Sequence, residues 1–121
     1  MKDNNELGKR GEEIAVAHLE GKGYRILERN WRWGKQEIDI IARDGNFLVI
    51  VEVKTRSSNV FAEPEASVTK QKQRILVHAA NAFVNYRRQR GEVRFDIVSI
   101  LIRQEKEEIN HIMDAFYVTF R

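Results

Sequence analysis

Charged side chains interrupt two apolar segments of the chain, and these residues are the best placed to do chemistry. Asp39 lies within the segment EIDIIAR, Glu52 lies within NFLVIVEVKT, and Lys54 follows Glu52 by two positions. An ionised carboxylate inside an apolar strand is unstable without a partner charge, a proton or a metal ion. Two acids beside a lysine are typical of sites that bind a divalent cation and activate water for hydrolysis.

The two segments predict a β-hairpin, because both are rich in β-branched residues and the turn dipeptide Asp44-Gly45 joins them. A two-residue turn at that dipeptide pairs Arg43 with Asn46. Apolar residues on both faces of the two segments favour central strands over edge strands.

This register predicts how the acids lie relative to one another. Asp39 is opposite Ile50 and Glu37 is opposite Glu52, and the alternation of side chains puts these four residues and Lys54 on one face. Asp39 and Glu52 become diagonal neighbours, roughly 7–8 Å apart at the backbone. Such a pair repels unless a cation lies between the carboxylates, and Mg²⁺ commonly binds one or two carboxylates with water. Lys54 could position a water or stabilise phosphoryl charge.

The first predicted helix supplies a third acid. Glu12 shares the helix side that carries Ala15 and Leu19, so we expect it to face the packed side of the molecule. Glu13 lies on a different side of the helix, and we expect it in solvent.

A purely structural cluster is the alternative interpretation of these acids. Lys54 would then form an ion pair with Glu52 or Glu37 and stabilise the sheet. Three acids and one lysine exceed what ion pairing requires, which favours a functional site.

Hydrophobic periodicity predicts the elements that must position these residues. Ser67 is expected to cap the second helix. The predicted elements are helices over residues 7–22 and 68–88, strands over residues 24–31, 37–43, 46–55 and 92–102, one or two strands within residues 108–120, and a loop over residues 31–35. This order indicates an α/β fold with a mixed sheet. We expect one domain over residues 1–121, with its core at about 8–102.

Composition excludes several classes of protein. The 121-residue chain has no cysteine, which excludes a disulfide scaffold, a thiolate zinc site and a cysteine nucleophile. The longest apolar run, over residues 47–51, is too short to span a membrane, and the N-terminus lacks the apolar region of a signal peptide. We therefore expect a soluble cytoplasmic protein with no membrane partner.

Positive charge is concentrated in the second half of the chain. Residues 54–94 contain nine basic and three acidic residues. Such a concentration is typical of a surface that binds phosphates, although a solvated basic helix without a ligand would look the same. The residues expected to contact nucleic acid are Arg56, Lys70, Lys72 and Arg74.

Several other side chains have both a structural and a functional interpretation. Trp31 and Trp33 could stack on nucleobases, or pack in a core or dimer contact. Asp96 lies in an apolar segment, and we expect it to pair with an arginine in a structural role. The histidines lack metal-ligand spacing and are expected to be structural or at the surface; they are His18, His78 and His111.

An acid before a hairpin, followed by Glu-x-Lys in the next strand, resembles the PD-(D/E)xK nuclease core of the restriction-endonuclease-like superfamily. The matching residues are Asp39, Glu52 and Lys54, with Glu12 as the helix acid. Ile38 stands where the motif's name has proline.

A wider set of matches, between about residues 8 and 99, is similar to the small bacterial YraN-like family. That family is largely uncharacterised and is described as predicted nucleases, with a fold similar to that of archaeal Holliday-junction resolvases. The matching strings are Gly11-Glu12, Gly23-Tyr24, Asn30-Trp31-Arg32, EIDIIA, VEVKTR, Val68 with Lys72, and Arg94-Phe95-Asp96.

The resemblance implies a restriction-endonuclease-like α-β-β-β-α-β core that hydrolyses phosphodiester bonds in DNA with Mg²⁺ or Mn²⁺. Asp39, Glu52 and the main-chain carbonyl of Val53 would bind the metal, and Lys54 would orient the attacking water. Glu12 would complete the site.

Glu37 would support the site from the same strand as Asp39. The likeness to resolvases also implies branched or damaged DNA as the substrate and a homodimer for paired cuts. Because a fold does not establish an activity, two alternatives stay open. They are a non-catalytic nucleic-acid-binding module and a protein-interaction domain.

Overall fold

The chain folds as the predicted α/β arrangement, with a five-stranded mixed sheet and two helices. The computed structural model describes residues 4–57 and 68–116. The elements are α1 (Asn4–Gly21), β1 (Arg25–Trp33), β2 (Gln36–Asp44), β3 (Phe47–Arg56), α2 (Lys70–Arg87), β4 (Glu92–Arg103) and β5 (Lys106–Phe116). The predicted cap Ser67 and residues 117–120 of the predicted last strand lie outside the described residues. No helix within the described residues is long and apolar enough to cross a membrane.

The strands lie in the sheet in chain order, β1-β2-β3-β4-β5. β3 and β4 are parallel, and the other neighbours are antiparallel. A parallel pair needs a long crossover, and the segment that connects β3 to β4 contains α2. The order agrees with a restriction-endonuclease-like core.

The sheet is buried on both faces, and each face carries its own hydrophobic core. On the α2 side, Leu76 and Phe83 pack with sheet residues that include Ile41, Ile50 and Ile97. The core on the α1 side contains Ala15, Leu19, Ile40, Val51 and Val98. β2 and β3 are therefore central strands, as their apolar density predicts.

A side-chain cap sets the start of α2. The Thr69 hydroxyl accepts a hydrogen bond from the Lys72 N–H at 3.1 Å, which satisfies one of the donors that a helix N-terminus leaves unpaired. The helix begins at Lys70, two residues later than predicted, and Val68 is buried in the α2-side core. The cap puts Lys72 in the first turn of α2.

The β2–β3 hairpin differs from the predicted register, because Arg43 pairs with Leu48 and not with Asn46. Asp44 pairs with Phe47, so the turn is Gly45-Asn46 and not Asp44-Gly45. Gly45 has φ +58°, and a glycine with positive φ at the first central position suits a type II′ turn. Both dipeptides are turn formers, and local sequence does not choose between them.

The predicted loop over residues 31–35 is wrong in its first half. β1 continues to Trp33, pairs with β2 throughout residues 31–33, and turns at Gly34, which has φ +61°. The aromatic residues therefore lie on an edge strand, where pairing with β2 holds them in an extended conformation.

α1 approaches the sheet most closely at Gly11. A Cβ atom on this buried residue would overlap the Thr55 side chain of β3, including the Thr55 Cβ at 2.8 Å. Rotation of Thr55 about χ1 cannot move its Cβ, so the contact has no simple relief. The absence of a side chain at Gly11 lets the middle of α1 lie directly on β3.

We expect Gly11→Ala to destabilise the protein by about 1–3 kcal/mol, because the added methyl group overpacks this contact. Gly8→Ala is the matched control in the same helix, since nothing lies within 4 Å of its Cβ position. It should stabilise the protein by up to ~1 kcal/mol through helix propensity. Urea denaturation measures both changes, and equal effects of the two substitutions would contradict the close approach.

Candidate functional site

β2 and β3 separate at Asp39. Their regular pairing ends at Ile40 and Val51. Beyond that pair, an Asp39 side-chain oxygen (Oδ2) accepts a hydrogen bond from the Val53 N–H at 2.8 Å. The carboxylate thus occupies a place that a backbone partner from β2 would otherwise fill.

β2 leaves β3 because it follows β1 instead. Beyond the separation point Ile38 pairs with Trp31, in the same register that joins Ile40 to Arg29. Asn30, between these β1 partners, has φ +53°, a left-handed conformation that asparagine tolerates better than most residues. The two strands bend away together and open a gap beside β3.

The alternation of side chains breaks at this bend. Ile38 packs in the α2-side core and Ile40 in the α1-side core, although residues two apart in a regular strand share a face. Glu37 and Asp39 line a cavity on the α1 side. The prediction that they share one sheet face with Glu52 is therefore wrong, because it assumed a regular strand through Asp39.

The cavity on the α1 side has a volume of about 550 Å³ and lies between α1 and the ends of β1, β2 and β3. Its lining is mostly polar. The lining residues are Leu7, Gly8, Lys9, Glu12, Asn30, Arg32, Glu37, Asp39, Val53 and Thr55.

Glu12 faces this cavity, as its place on the helix predicts, and its side chain is 15% exposed. One Glu12 oxygen accepts hydrogen bonds from Arg29 at 2.8 Å and from the Asn30 amide at 3.0 Å. Glu13 is largely in solvent, as expected, but also binds Arg29 at 2.8 Å. The hydrogen bonds that Arg29 donates to Glu13 and Glu12 raise the pKa of Arg29 above its ordinary value.

Glu52 lies on the other side of the gap, buried among cations. Its side chain is 6% exposed, and its Oε2 lies 3.4 Å from the Lys54 Nζ and 3.9 Å from the Lys72 Nζ. The Glu52–Lys54 contact is the ion pair of the structural alternative. Glu37 does not make the other pair of that alternative and instead pairs with Arg32 at 3.6 Å.

Asp39 and Glu52 interact electrostatically across the gap. Burial and the negative charge of Glu52 together raise the pKa of Asp39 to about 7, against the opposing effects of the Val53 hydrogen bond and the positive charge of Lys72. The charge of Glu12 adds a smaller upward shift. The gap thus brings Asp39 within electrostatic range of acids on both sides of the sheet.

The donor set suits a hard divalent cation held in part by water or substrate. Over residues 4–57 and 68–116 no group of three or more His, Cys, Asp or Glu side chains could hold a metal ion. Asp39 and Glu52 offer two carboxylates whose mutual repulsion a cation would relieve. Mg²⁺ is usually held by one or two carboxylates plus waters and phosphates, so this pair fits it.

The residues predicted to bind nucleic acid divide into two places. Lys70, Lys72 and Arg74 lie in the first turns of α2, with Lys70 and Arg74 exposed and Lys72 beside Glu52. Arg56, at the end of β3, lines a separate cavity of about 240 Å³ with residues of β4 and β5.

Sequence reasoning missed two features of the site. It expected Lys72 at phosphates and did not place it against Glu52, and it gave Asn30 no role, although Asn30 binds Glu12 and forms the bend in β1. Thr69, three residues before Lys72, carries a capping signal that would have located the helix start. An asparagine inside a strand pattern was the signal for the bend.

A second buried acid has the structural role predicted for it. Asp96 accepts hydrogen bonds from Arg94 at 2.9 Å, from His111 at 2.8 Å and from the Asp114 N–H at 3.0 Å. Burial alone would raise the pKa of Asp96, but these hydrogen bonds hold it below its ordinary value. His111 also contacts His18 at 3.1 Å, so these two histidines lie in the same network.

We expect Asp39→Asn to stabilise the protein increasingly as pH rises from about 4 to 7. The folded pKa of Asp39 is raised, so the folded state binds its proton more tightly and loses stability as pH rises through this range. The amide oxygen of asparagine can still accept the hydrogen bond from the Val53 N–H, but it carries no charge. The gain in the free energy of unfolding at pH 8 should be on the order of 1–3 kcal/mol.

Denaturant titrations between pH 5 and pH 8, in the presence of EDTA, measure this difference. Glu20→Gln, which changes an exposed acid on α1, is the control and should leave the pH profile unaltered. Parallel profiles for wild type and Asp39→Asn would show that Asp39 is not held in its protonated form by its surroundings.

Asp96→Ala should cost about 3–5 kcal/mol, because it leaves the guanidinium of Arg94, whose side chain is 7% exposed, without its buried partner. The double variant Arg94→Met/Asp96→Ala should recover part of this loss, since it removes both charges. A double-mutant cycle by chemical denaturation tests the coupling. Additive effects would contradict a dominant Arg94–Asp96 interaction.

Comparison with known proteins identifies the family of this chain. The model of the family described as "Uncharacterised protein family UPF0102" matches residues 11–100. A UPF0102 protein of Flavobacterium johnsoniae is 50% identical, covering 97% of this chain and 98% of that protein. The UPF0102 protein of Bacteroides thetaiotaomicron is 49% identical, covering 97% of each chain. The one from Thermodesulfovibrio yellowstonii is 46% identical, covering 93% of this chain and 96% of that protein. The chain therefore belongs to the uncharacterised protein family UPF0102.

Proposed function

We propose that this protein is a metal-dependent endonuclease that hydrolyses phosphodiester bonds in branched or damaged DNA. One observation carries the proposal. Asp39 and Glu52 interact electrostatically at the point where β2 leaves β3, and two lysine ammonium groups lie within 4 Å of Glu52. A hydrolytic site for phosphodiesters needs this combination of carboxylates for a cation and positive charge for a phosphate.

Asp39 and Glu52, together with the Val53 carbonyl, are the residues that would hold Mg²⁺ or Mn²⁺. The cation would supply Lewis-acid polarisation of the phosphate and lower the pKa of a bound water. The hydrogen bond from the Val53 N–H orients the Asp39 carboxylate. Because the pKa of Asp39 is about 7, cation binding at neutral pH would release a proton from this side chain.

Lys54 and Lys72 have distinct roles in this proposal. Lys54 follows Glu52 by two residues in the same strand and would orient the attacking water. Lys72 approaches from the first turn of α2, where unpaired backbone N–H groups also favour anions. It would bind the phosphate or stabilise the charge that develops on it.

The cavity on the α1 side gives Glu12 and Glu37 a supporting role. Both line the same cavity as Asp39, and Glu12 is fixed there by Arg29 and Asn30. Glu12 would tune the charge of Asp39 from a distance rather than bind the cation directly. Paired cuts in branched DNA need two sites, so we expect a homodimer on DNA, acting in the cytoplasm.

A non-catalytic nucleic-acid-binding module is the second candidate function. It is favoured by the ion pairs that Lys54 and Lys72 already make with Glu52, because these ion pairs offset the charge of Glu52 without a metal ion. In this case the basic first turns of α2 would bind the DNA backbone, and Asp39 would remain protonated. The two functions differ in whether a divalent cation binds and whether DNA is cut.

We expect the wild-type protein to cut at least one member of a panel of duplex, flap and four-way-junction DNA in Mn²⁺ or Mg²⁺. Glu52→Gln, Asp39→Asn and Lys54→Met should each lower the cleavage rate roughly 100-fold or more, because each removes a cation ligand or the water-orienting ammonium. His78→Gln, on an exposed part of α2, is the matched control and should cut at the wild-type rate. The rates come from single-turnover assays on labelled DNA.

Calorimetric titration with Mn²⁺ separates the two candidate functions. Cation binding that Asp39→Asn abolishes, together with cleavage, supports the endonuclease. DNA binding without cleavage and without cation binding would support the non-catalytic module. Cleavage that survives in the double variant Asp39→Asn/Glu52→Gln would contradict the proposed site.

A further inference from the structure

The two tryptophans of this chain form a stack with one buried end and one open end. The Trp31 and Trp33 rings are nearly parallel, at 7°, with centroids 6.2 Å apart. Trp31 packs edge-on against Phe83 of α2, with centroids 5.2 Å apart. Trp33 is 49% exposed. Trp31 therefore covers the core, and Trp33 presents aromatic surface to solvent.

The core does not require the size of Trp33. The residue lies near the end of β1, an edge strand, and it is not part of the α2-side core, to which Trp31 belongs. Tryptophan is enriched at interfaces, because its ring offers a large apolar face together with a polar N–H group. The open ring of Trp33 is therefore available to a ligand.

The open ring lies beside the candidate site. Trp31 pairs with Ile38 and Trp33 with Gln36, so the stack runs along the part of β2 that precedes Asp39. At about 3.3 Å per residue, Trp33 is roughly 10 Å from Asp39 along the sheet. Trp31 packs on the α2 side, where Glu52 and Lys72 also meet. Strand alternation puts Trp33 on that side as well.

The charge around the stack suits a phosphate backbone. The exposed Lys35 lies two residues after Trp33, whereas Arg32 lines the cavity on the α1 side and pairs with Glu37 at 3.6 Å. Lys54 and Lys72 lie at the candidate site. Cations that flank an aromatic ring are the usual composition of a surface for single-stranded nucleic acid, in which bases stack and phosphates pair with the cations.

The ring discriminates between paired and unpaired nucleotides. In a duplex each base is already stacked between its neighbours, and its face is not available to a protein side chain. An unpaired base can stack on tryptophan whatever its identity, because every base has a π-face. A fixed ring on a strand therefore selects for DNA structure and not for sequence.

We infer that Trp33 is a stacking platform for an unpaired DNA base, a few nucleotides from the phosphodiester bound at Asp39 and Glu52. The inference rests on the proposed function and narrows its substrate to DNA with unpaired nucleotides next to the scissile bond. Flaps, gaps and the open arms of junctions have this feature, and continuous duplex lacks it.

Fluorescence tests the inference directly, because Trp31 and Trp33 are the two tryptophans of the sequence. An eight-nucleotide oligo(dT) in EDTA should quench the intrinsic fluorescence, and fluorescence anisotropy of the labelled oligonucleotide gives the affinity. Trp33→Ala should weaken single-strand binding roughly 5- to 100-fold and leave the affinity for a blunt duplex nearly unchanged. Trp33→Phe, which keeps an aromatic face, should retain most of the single-strand affinity.

The outcomes separate this inference from the proposed hydrolysis. Equal single-strand affinity of Trp33→Ala and wild type would overturn the stacking platform and leave the cleavage assay unaffected. Loss of binding in Trp33→Ala, in a protein that cuts no DNA, would support the platform and overturn the hydrolysis. A wild type that binds no oligonucleotide would overturn the stacking platform, and the cleavage assay would still decide the hydrolysis. A dimer that dissociates in Trp33→Ala, with DNA affinity unchanged, would assign the ring to a contact between copies and overturn the inference.

Discussion

The hydrogen bond between the Asp39 carboxylate and the Val53 N–H is the interaction on which the candidate site depends. It forms where β2 stops pairing with β3, so a side chain satisfies a backbone donor that the sheet leaves open. The same bond draws an acid into the gap between the strands. There burial and the charge of Glu52 raise its pKa to about 7. A structural need for a hydrogen bond and a chemically unusual carboxyl group therefore have one origin.

Two acids of the sheet, Asp96 and Asp39, illustrate how their surroundings decide what an acid can do. Asp96 is surrounded by donors, among them Arg94 and His111, and its pKa is held below the ordinary range. Asp39 has one strong donor and a second acid nearby, and its pKa is raised. Asp96 is satisfied within the protein and stabilises the fold. Asp39 is held by the hydrogen bond from the Val53 N–H, and a cation could stabilise its charged form.

α1 contributes to the site from its middle turns, and α2 contributes from its first turn. α1 can lie close to β3 because Gly11 has no side chain to oppose Thr55, and this approach brings Glu12 to the cavity that Asp39 lines. α2 begins at its Thr69 cap, which puts Lys72 beside Glu52. Acids and cations thus approach the gap from opposite faces of one sheet, while the two hydrophobic cores hold the helices in place.

The sequence by itself determined the α/β class, the central strands β2 and β3, the packed side of α1 and the arginine partner of Asp96. These features follow from local periodicity and from the cost of burying an unpaired charge, and both can be recognised from short segments of the sequence. Only the tertiary structure decided the hairpin register, the departure of β2 at Asp39 and the approach of Lys72 to Glu52. Two overlapping turn dipeptides are locally equivalent, and a strand alternates regularly only while its pairing stays regular. At Asp39 β2 loses its partner β3 and keeps β1, and no pattern within the sequence of β2 indicates that loss.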